Sequence, residues 1–227
     1  MTSALLWSGT GEPFHMLQHK GDGHQDGMRG EFGGPDGPRC ARLSDMDSAR
    51  QKSPVDRHHG NDDLVLRAAS SEDASTLAAT IATAFEQYRG RLVPESAAFG
   101  ETPDRIAREF ADGSGAIIAE QHEAALGCVM IRPVEDDLYF GRLAVIPSAR
   151  GRGIGRLLVG AVEAEAARRG LAGVRMSARI ALPANQRFFS ELGYVETARE
   201  AHPGFDHPTT IHRRKSLSPA GVNRSGR

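Results

Sequence analysis

The chain has 227 residues, of which 39% are hydrophobic and 25% charged, and its formal net charge is −1. These values indicate one folded domain with additional segments, and they exclude a large multidomain protein and a wholly disordered chain. The balanced charge argues against nucleic acid as a partner. Because no apolar stretch approaches the ~18 residues that span a bilayer, and because Cys40 and Cys128 are too few for a disulfide framework, we expect a cytoplasmic protein without a membrane partner.

Residues 1–62 differ in composition from the rest of the chain. They hold ten of the 26 glycines and four of the 12 prolines, without apolar residues at helix or strand spacing, so we predict a disordered leader. An upstream start codon that adds a non-native leader would give the same composition. The segment also carries five histidines: His15, His19, His24, His58 and His59. Their irregular spacing favours a solvated tail over a metal-binding tract, so no metal ligand is predicted.

A folded domain is predicted over residues 63–217, followed by a flexible tail over 218–227. Its strands are predicted from apolar runs between turn residues, and its helices from apolar residues at three- and four-residue spacing after a capping residue. In chain order the pattern predicts a strand at 64–67, helices at 74–85 and 105–111, strands at 116–120, 125–132 and 138–145, a helix at 154–169, a strand at 174–179, a helix at 184–192, and strands at 194–198 and 209–215.

A glycine-rich turn, Arg-Gly-Arg-Gly-Ile-Gly-Arg at 150–156, stands between the fourth strand and the third helix. Its glycines let the backbone approach a ligand closely, and the start of a helix leaves N–H groups of residues 151–156 without intrahelical partners. With the helix dipole and the side chains of Arg150, Arg152 and Arg156, these groups favour an anion such as a pyrophosphate. Taken alone, the turn could also be only a tight connection.

Two common nucleotide-binding motifs do not match this turn. A dinucleotide fingerprint needs its third glycine one residue later and an acidic residue about 20 positions on, where this chain has Arg175. A phosphate-binding loop would need Gly-Lys-Ser or Gly-Lys-Thr, which the sequence lacks. The anion site, if it is one, therefore belongs to another kind of fold.

The segment Leu-Ala-Val-Ile-Pro at 143–147, followed by Arg150-x-x-Gly153-x-Gly155, resembles the acetyl-CoA motif of the GNAT N-acetyltransferase superfamily. Residues 185–194, Asn-Gln-Arg-Phe-Phe-Ser-Glu-Leu-Gly-Tyr, are similar to the second motif of that family. The resemblance covers about residues 63–217. It implies an α/β fold whose mixed, mostly antiparallel sheet is flanked by helices and splayed open between strands 4 and 5.

The resemblance implies an acetyl-CoA-dependent N-acetyltransferase, which moves an acetyl group to a primary amine of a small molecule or a protein by direct attack in a ternary complex. The pantetheine would pair with the fourth strand, and the pyrophosphate would lie on the glycine turn. The implied cofactor-binding residues are Leu143, Val145, Arg150, Gly151, Arg152, Gly153, Ile154, Gly155, Arg156 and Asn185. A backbone N–H of the fourth strand, that of Leu143 or Val145, would polarise the thioester carbonyl.

The roles of two residues in the second motif are not decided by the resemblance. Asn185 would give its side-chain amide to the cofactor, or it would only cap its helix. Phe189 stands where the family often has a tyrosine that protonates the departing thiolate, and a phenyl ring has no proton to give. A non-catalytic module that senses acyl-CoA is therefore the alternative function.

The general base is a second open point, because the fourth strand carries no carboxylate in its interior. By alternation, the side chains of residues 139, 141 and 143 face one side of this strand and those of 140, 142 and 144 the other. The loop between the last two strands contains His202 and His207, which are candidates for acid-base catalysis or are only surface residues.

The identity of the amine acceptor stays open at this stage. The connection after the first helix carries Arg89 and Arg91, which would suit an anionic acceptor or would only be solvated. Association into a homodimer is also left open.

Overall fold

The computed structural model describes residues 63–217, and both the predicted leader 1–62 and the predicted tail 218–227 lie outside these residues. Strands β1 to β7 cover Leu64–Ala68, Gly115–Gln121, Ala124–Val134, Asp137–Val145, Gly173–Arg179, Val195–Glu200 and Thr210–Ser216. Helices α1 to α4 cover Ala74–Phe85, Pro103–Ala111, Ile154–Arg168 and Pro183–Glu191. Each of these elements corresponds to one that the sequence pattern predicts, with small differences at the ends.

The strands form one sheet in the order β1-β2-β3-β4-β5-β7-β6. Neighbouring strands are antiparallel except β4 and β5, which are parallel. Because parallel neighbours need a crossover connection, the chain passes through α3 between them. This mixed, mostly antiparallel sheet with flanking helices confirms the predicted fold class.

Short capping motifs fix where the first two helices begin. Ser70 and Asp73 form a capping box at the 3-10 turn Ser71–Asp73, which leads directly into α1, with the Asp73 carboxylate accepting from the Ser70 N–H at 2.9 Å. The Thr102 hydroxyl accepts from the N–H of Arg105, and Pro103 occupies the first position of α2. These helices bracket the connection 86–102, which lies on the side of the sheet that they cover.

Apolar side chains pack on both faces of the sheet. On one face, α3 buries the predicted stripe of Leu158, Val162 and Ala166. On the other face, α1 and α2 bury Leu77, Ile81 and Ile106, among others. The burial of these side chains provides the main stabilising free energy of such a layered domain.

None of the helices within the described residues 63–217 is long and apolar enough to cross a membrane.

Candidate active site

β4 and β5 pair over only part of their length, from Asp137↔Gly173 to Phe140↔Met176. Both strands continue beyond this point, and in the described register they no longer pair with each other. The sheet therefore opens into a wedge between residues 141–145 of β4 and 177–179 of β5, at the place predicted from the sequence. The backbone edges that face this wedge can pair with an extended ligand in the manner of an added strand.

Asp137, at the start of β4, holds the closed end of the wedge. Its carboxylate accepts hydrogen bonds from Arg214 of β7 at 2.7 and 2.8 Å, and another from Arg175 of β5. The Asp137 side chain is only 1% exposed. The hydrogen bonds from Arg214, helped by Arg175, hold the pKa of this carboxyl below its usual range. Three strands are thus joined where the wedge closes.

A β-bulge interrupts β4 inside the wedge. The register with β3 shifts between Cys128 and Met130, so that β4 carries one extra residue there. Arg142 lies at this point with φ +49°, a left-handed conformation that is uncommon for residues other than glycine. The extra residue changes which face each side chain takes, and both Phe140 and Leu143 belong to the apolar cluster on the α3 side. The predicted alternation, which placed these two on opposite faces, is therefore wrong.

The Arg142 guanidinium is buried against two carboxylates that the sequence analysis did not assign to the site. Its Nη1 lies 2.9 Å from Glu101 Oε2 and donates to Glu109 Oε1 at 2.9 Å. Burial raises the pKa of Glu101, although the charge of Arg142 opposes this shift. A carboxylate cluster thus lies beside β4, and nothing in the local sequence signals it, because Glu109 and Arg142 are 33 positions apart.

The glycine turn directly precedes α3. Gly151 and Gly153 both have φ +79°, and a Cβ added at either position would meet nothing within 4 Å. The N–H of Arg156 donates to the Gly153 carbonyl at 2.9 Å. The N–H of Arg156, which the sequence analysis counted among the donors without an intrahelical partner, is therefore already used. The N–H groups of Ile154 and Gly155 remain at the start of the helix.

The Arg150 guanidinium, predicted to contact pyrophosphate, donates its hydrogen bonds to α1 and to the end of β4. Its Nη2 donates to the Ala84 carbonyl of α1 at 2.9 Å, its Nη1 to Gln87 at 2.8 Å, and its Nε to the Val145 carbonyl at 3.2 Å. The side chain therefore ties the end of α1 to the end of β4. A sequence pattern cannot reveal this, because the α1 partners lie more than 60 positions away.

The two remaining arginines of the turn lie nearer the surface. The Arg152 Nη2 donates to the side chain of Gln121 at 2.9 Å. The side chain of Arg156 is 57% exposed and lies 3.7 Å from a carboxylate oxygen of Glu191 in α4. These long side chains can reorient toward an anion at the turn.

Asn185 is buried in the first turn of α4. Leu182, not Asn185, occupies the N-cap position of this helix, and the backbone N–H of Asn185 donates to the Leu182 carbonyl at 3.1 Å. Asn185 is therefore not the N-cap residue of α4.

Phe189 is fully buried in an aromatic cluster. Its ring centroid lies 5.8 Å from that of Phe140 and 5.7 Å from that of Tyr194. The Tyr194 hydroxyl donates to Glu163 of α3 at 3.1 Å, and burial raises its pKa far above the usual value. Neither aromatic residue thus offers an exchangeable proton to the wedge.

His202 contacts Arg179, the last residue of β5. Its Nε2 accepts from Arg179 Nη1 at 3.1 Å, and its Nδ1 contacts the Thr209 hydroxyl. Because a guanidinium only donates, Nε2 carries no proton and the imidazole ring is neutral. Burial is the main cause that lowers the pKa of His202, and the positive charge of Arg179 lowers it further. The Arg179 Nη2 also donates to the Pro94 carbonyl at 2.9 Å, so this arginine joins the β6–β7 loop to the connection after α1.

His207 has a different environment from His202. Its side chain is 68% exposed, and its Nδ1 lies 2.7 Å from the neighbouring Asp206 carboxylate. The structure thus does not bring the two histidines of the loop into one cluster.

The sequence that folds into this geometry matches a known protein family. The profile of the acetyltransferase (GNAT) family matches residues 81–194, from α1 to the end of the second motif. The chain belongs to the GNAT acetyltransferase family. It is therefore an acyltransferase, and it uses acetyl-CoA, as this family does. The comparison with curated proteins gave no match.

Solved structures show the same GNAT fold. The ribosomal-protein-S18-alanine N-acetyltransferase from Escherichia coli is 21% identical, with a TM-score of 0.54, 70% of this chain and 97% of that chain covered. The protein yncA from Salmonella typhimurium, solved with its cofactor acetyl-CoA, is 16% identical, with a TM-score of 0.55 and coverage of 72% and 99%. The PaiA N-acetyltransferase from Thermoplasma acidophilum, in complex with coenzyme A, is also 16% identical, with a TM-score of 0.55 and coverage of 68% and 99%. At these identities the likeness concerns the fold alone.

The described residues of this acetyltransferase fit a CoA thioester. The wedge presents two strand edges to an extended arm, and the turn before α3 presents open backbone at Gly151 and Gly153. A helix start of this kind suits a pyrophosphate, because its N–H groups and its dipole both favour negative charge.

Proposed function

We propose that this enzyme is an N-acetyltransferase that moves the acetyl group of acetyl-CoA to a primary amine, on a small molecule or a protein, by direct attack in a ternary complex. The observation that carries this proposal is the wedge between β4 and β5, with the glycine turn at the start of α3 beside it. The His202 side chain of the β6–β7 loop and the backbone carbonyl of Pro94, in the connection after α1, both contact Arg179, and we place the acceptor on this side of the wedge. Donor and acceptor would thus enter from different sides.

On the donor side, we propose that the pantetheine arm pairs with β4 at Leu143 and Val145. The Val145 carbonyl already accepts a hydrogen bond from Arg150 at 3.2 Å. The backbone N–H of Val145 is therefore the group that would donate to the ligand. Arg150 is then a positioning residue, because it fixes the end of β4 against α1 without reaching the pyrophosphate.

The pyrophosphate would lie on the turn 151–155. The backbone N–H groups there supply donors, and the helix dipole adds partial positive charge. Arg152 and Arg156 would supply the guanidinium contacts, which are the stronger kind for phosphate oxygens. Asn185, buried in the first turn of α4, would contact the cofactor through its amide.

The chemistry needs a polarised thioester carbonyl and an acceptor nitrogen that loses a proton. The backbone N–H of Leu143 would donate to the carbonyl oxygen, which stabilises the charge that develops there. No tyrosine stands at position 189 to protonate the sulfur, but a thiolate is a fair leaving group and solvent can protonate it. His202 and His207 are the acid-base groups proposed from the sequence, and His202 could act only after its Nε2 releases Arg179.

A thiol-release assay with acetyl-CoA and a panel of amines tests this proposal. The panel contains aliphatic diamines, amino acid amides, and peptides that offer either a free N-terminus or a lysine. We expect CoA to be released only when the enzyme, acetyl-CoA and a suitable amine are all present. Binding of acetyl-CoA without CoA release for any amine class would contradict amine transfer, and it would favour the sensing role.

A further inference from the structure

Three side chains form a hydrogen-bonded chain across β5, β7 and β6. The Ser177 hydroxyl lies 2.9 Å from His212 Nδ1, and His212 Nε2 lies 2.8 Å from Glu200 Oε2. Ser177 and His212 are direct cross-strand partners in the register of β5 with β7. Because a carboxylate only accepts, the neutral ring carries its hydrogen on Nε2, and Nδ1 accepts from the serine hydroxyl.

This chain begins at the wedge. Met176 is the last residue of β5 that pairs with β4, and Ser177 is the next residue along the strand. Ser177 is buried, whereas the side chain of His212 is 21% exposed and that of Glu200 is 59% exposed. The three groups therefore lead from the buried wedge to solvent.

The hydroxyl also lies on the face proposed for the acceptor. Val174, Met176 and Ala178 of β5 belong to the apolar cluster on the α3 side. Because side chains alternate along a strand, Ser177 lies on the opposite face, together with Arg179. That arginine contacts the loops that would bound the acceptor site.

We propose that Ser177, His212 and Glu200 form a proton relay that takes the proton from the attacking amine; this assignment rests on the proposed function. As the C–N bond forms and the C–S bond breaks, the Ser177 oxygen takes a proton from the nitrogen and passes its own proton to His212 Nδ1. The Glu200 carboxylate stabilises the resulting imidazolium, which returns the proton to solvent. The sulfur leaves as thiolate and takes one proton from solvent, so the proton count balances.

In this scheme Ser177 is a catalytic residue, and His212 and Glu200 are positioning residues that act through it. The arrangement has the same order of groups as a hydroxyl, a base and an orienting carboxylate in other acyl-transfer enzymes. Here the hydroxyl carries a proton and forms no bond to the acetyl group, because the acceptor is an amine that attacks directly.

Other charged groups near His212 are already paired. On the same face of β5 and β7, Arg175 and Arg214 both contact Asp137. Arg179 contacts His202 and the Pro94 carbonyl. Among the described ion pairs of His212, the Glu200 carboxylate is the group that would stabilise its protonated form.

The test uses His212→Ala in the full-length enzyme, with acetyl-CoA and the panel amine that gives the highest rate. General acid-base catalysis typically contributes about 10² to 10⁴ in rate, so we expect kcat to fall by at least about 10²-fold. Free imidazole should restore part of the lost rate in proportion to its concentration, since the ring is partly exposed. Ser177→Ala should show a similar loss that imidazole does not restore, and Glu200→Gln a smaller one.

Matched controls separate the relay from effects on folding. Glu196→Gln removes another carboxylate of β6, one that pairs with Arg199, and His122→Ala removes an exposed histidine that pairs with Asp63. Both should keep the parent kcat. Melting temperature and acetyl-CoA affinity are measured for every variant, and Glu200→Gln changes a surface group, so it keeps the test valid if a buried variant fails to fold.

Each outcome bears on the relay. The relay would be overturned if the parent turned over and Ser177→Ala and His212→Ala kept its kcat and its pH profile. The proposed function would remain intact in that case. A loss in His212→Ala that imidazole does not restore, with Glu200→Gln equal to its control, would also overturn it. An absence of turnover in the parent with every amine would overturn the proposed function and the relay together.

Discussion

Gly153 is the residue at which the proposed pyrophosphate site can be tested with the least disturbance of packing. Its φ is +79°, and an added Cβ would meet nothing within 4 Å. A larger residue would strain the backbone by roughly 1–2 kcal/mol without displacing a neighbour. We expect Gly153→Glu to abolish acetyl-CoA binding, because its carboxylate would repel the pyrophosphate at the start of α3. Isothermal titration calorimetry with acetyl-CoA measures this loss.

Gly170, just beyond the other end of α3, provides the matched control. It also has a positive φ, +71°, and open space around an added Cβ. Gly170→Glu should therefore cost similar stability and leave acetyl-CoA affinity unchanged. If Gly153→Glu bound as tightly as the parent, or if both variants lost binding equally, the pyrophosphate would have to lie elsewhere.

At the scale of elements, Asp137 determines how β4, β5 and β7 meet at the closed end of the wedge. Removing its charge leaves Arg175 and Arg214 without their shared carboxylate. We expect Asp137→Asn to lower the free energy of unfolding at pH 7 by about 2 kcal/mol. This is less than the ~3–5 kcal/mol of a fully buried pair, because both arginines reach water.

The same residue gives a pH dependence with a defined sign. The folded-state pKa of Asp137 lies below its usual value, so the ionised carboxylate contributes stability above the unfolded pKa of about 3.9. That contribution is lost as the pH falls through the lower folded pKa. Urea unfolding of parent and Asp137→Asn should therefore show a full difference at pH 7 that shrinks below about pH 4.

Asp136→Asn is the control for this measurement. Asp136 is exposed, and its backbone oxygen accepts from the N–H of Ala172 at 2.8 Å, a bond that the side-chain change keeps. Its stability should follow that of the parent at every pH. A constant difference between parent and Asp137→Asn over the whole pH range would contradict the ionic origin of the effect.

At the scale of the whole molecule, we expect the folded domain to be independent of residues 1–62. That segment lacks apolar residues at helix or strand spacing, so it has no face with which to join a core. Deletion of residues 1–62 should leave the melting temperature and the acetyl-CoA affinity nearly unchanged. Thermal unfolding followed by circular dichroism, together with calorimetric titration, measures both quantities.

A longer deletion, of residues 1–70, serves as the comparison. It removes β1, which pairs with β2, and also Arg67, which contacts Asp73 and Glu120 at 2.8 Å. This deletion should lower the melting temperature clearly. A comparable loss in the shorter deletion would show that the leader packs on the domain and that the boundary at residue 63 is misplaced.

The sequence by itself determined the order of the elements and the family. Helix caps, apolar spacing and the glycine turn depend on residues within a few positions of one another, and such short-range patterns predict local structure directly. The stripe of Leu158, Val162 and Ala166 was predicted in this way and is buried as expected. The resemblance of two motifs then predicted the wedge between β4 and β5.

Only the tertiary structure decided which polar side chains meet at the wedge. The contact of Ser177 with His212 joins residues 35 positions apart, and that of Arg142 with Glu109 joins residues 33 apart. Such contacts depend on strand register, and a single extra residue in β4 reverses which face its side chains take. No local pattern encodes that register, because the pairing of distant segments fixes it only when the whole sheet forms.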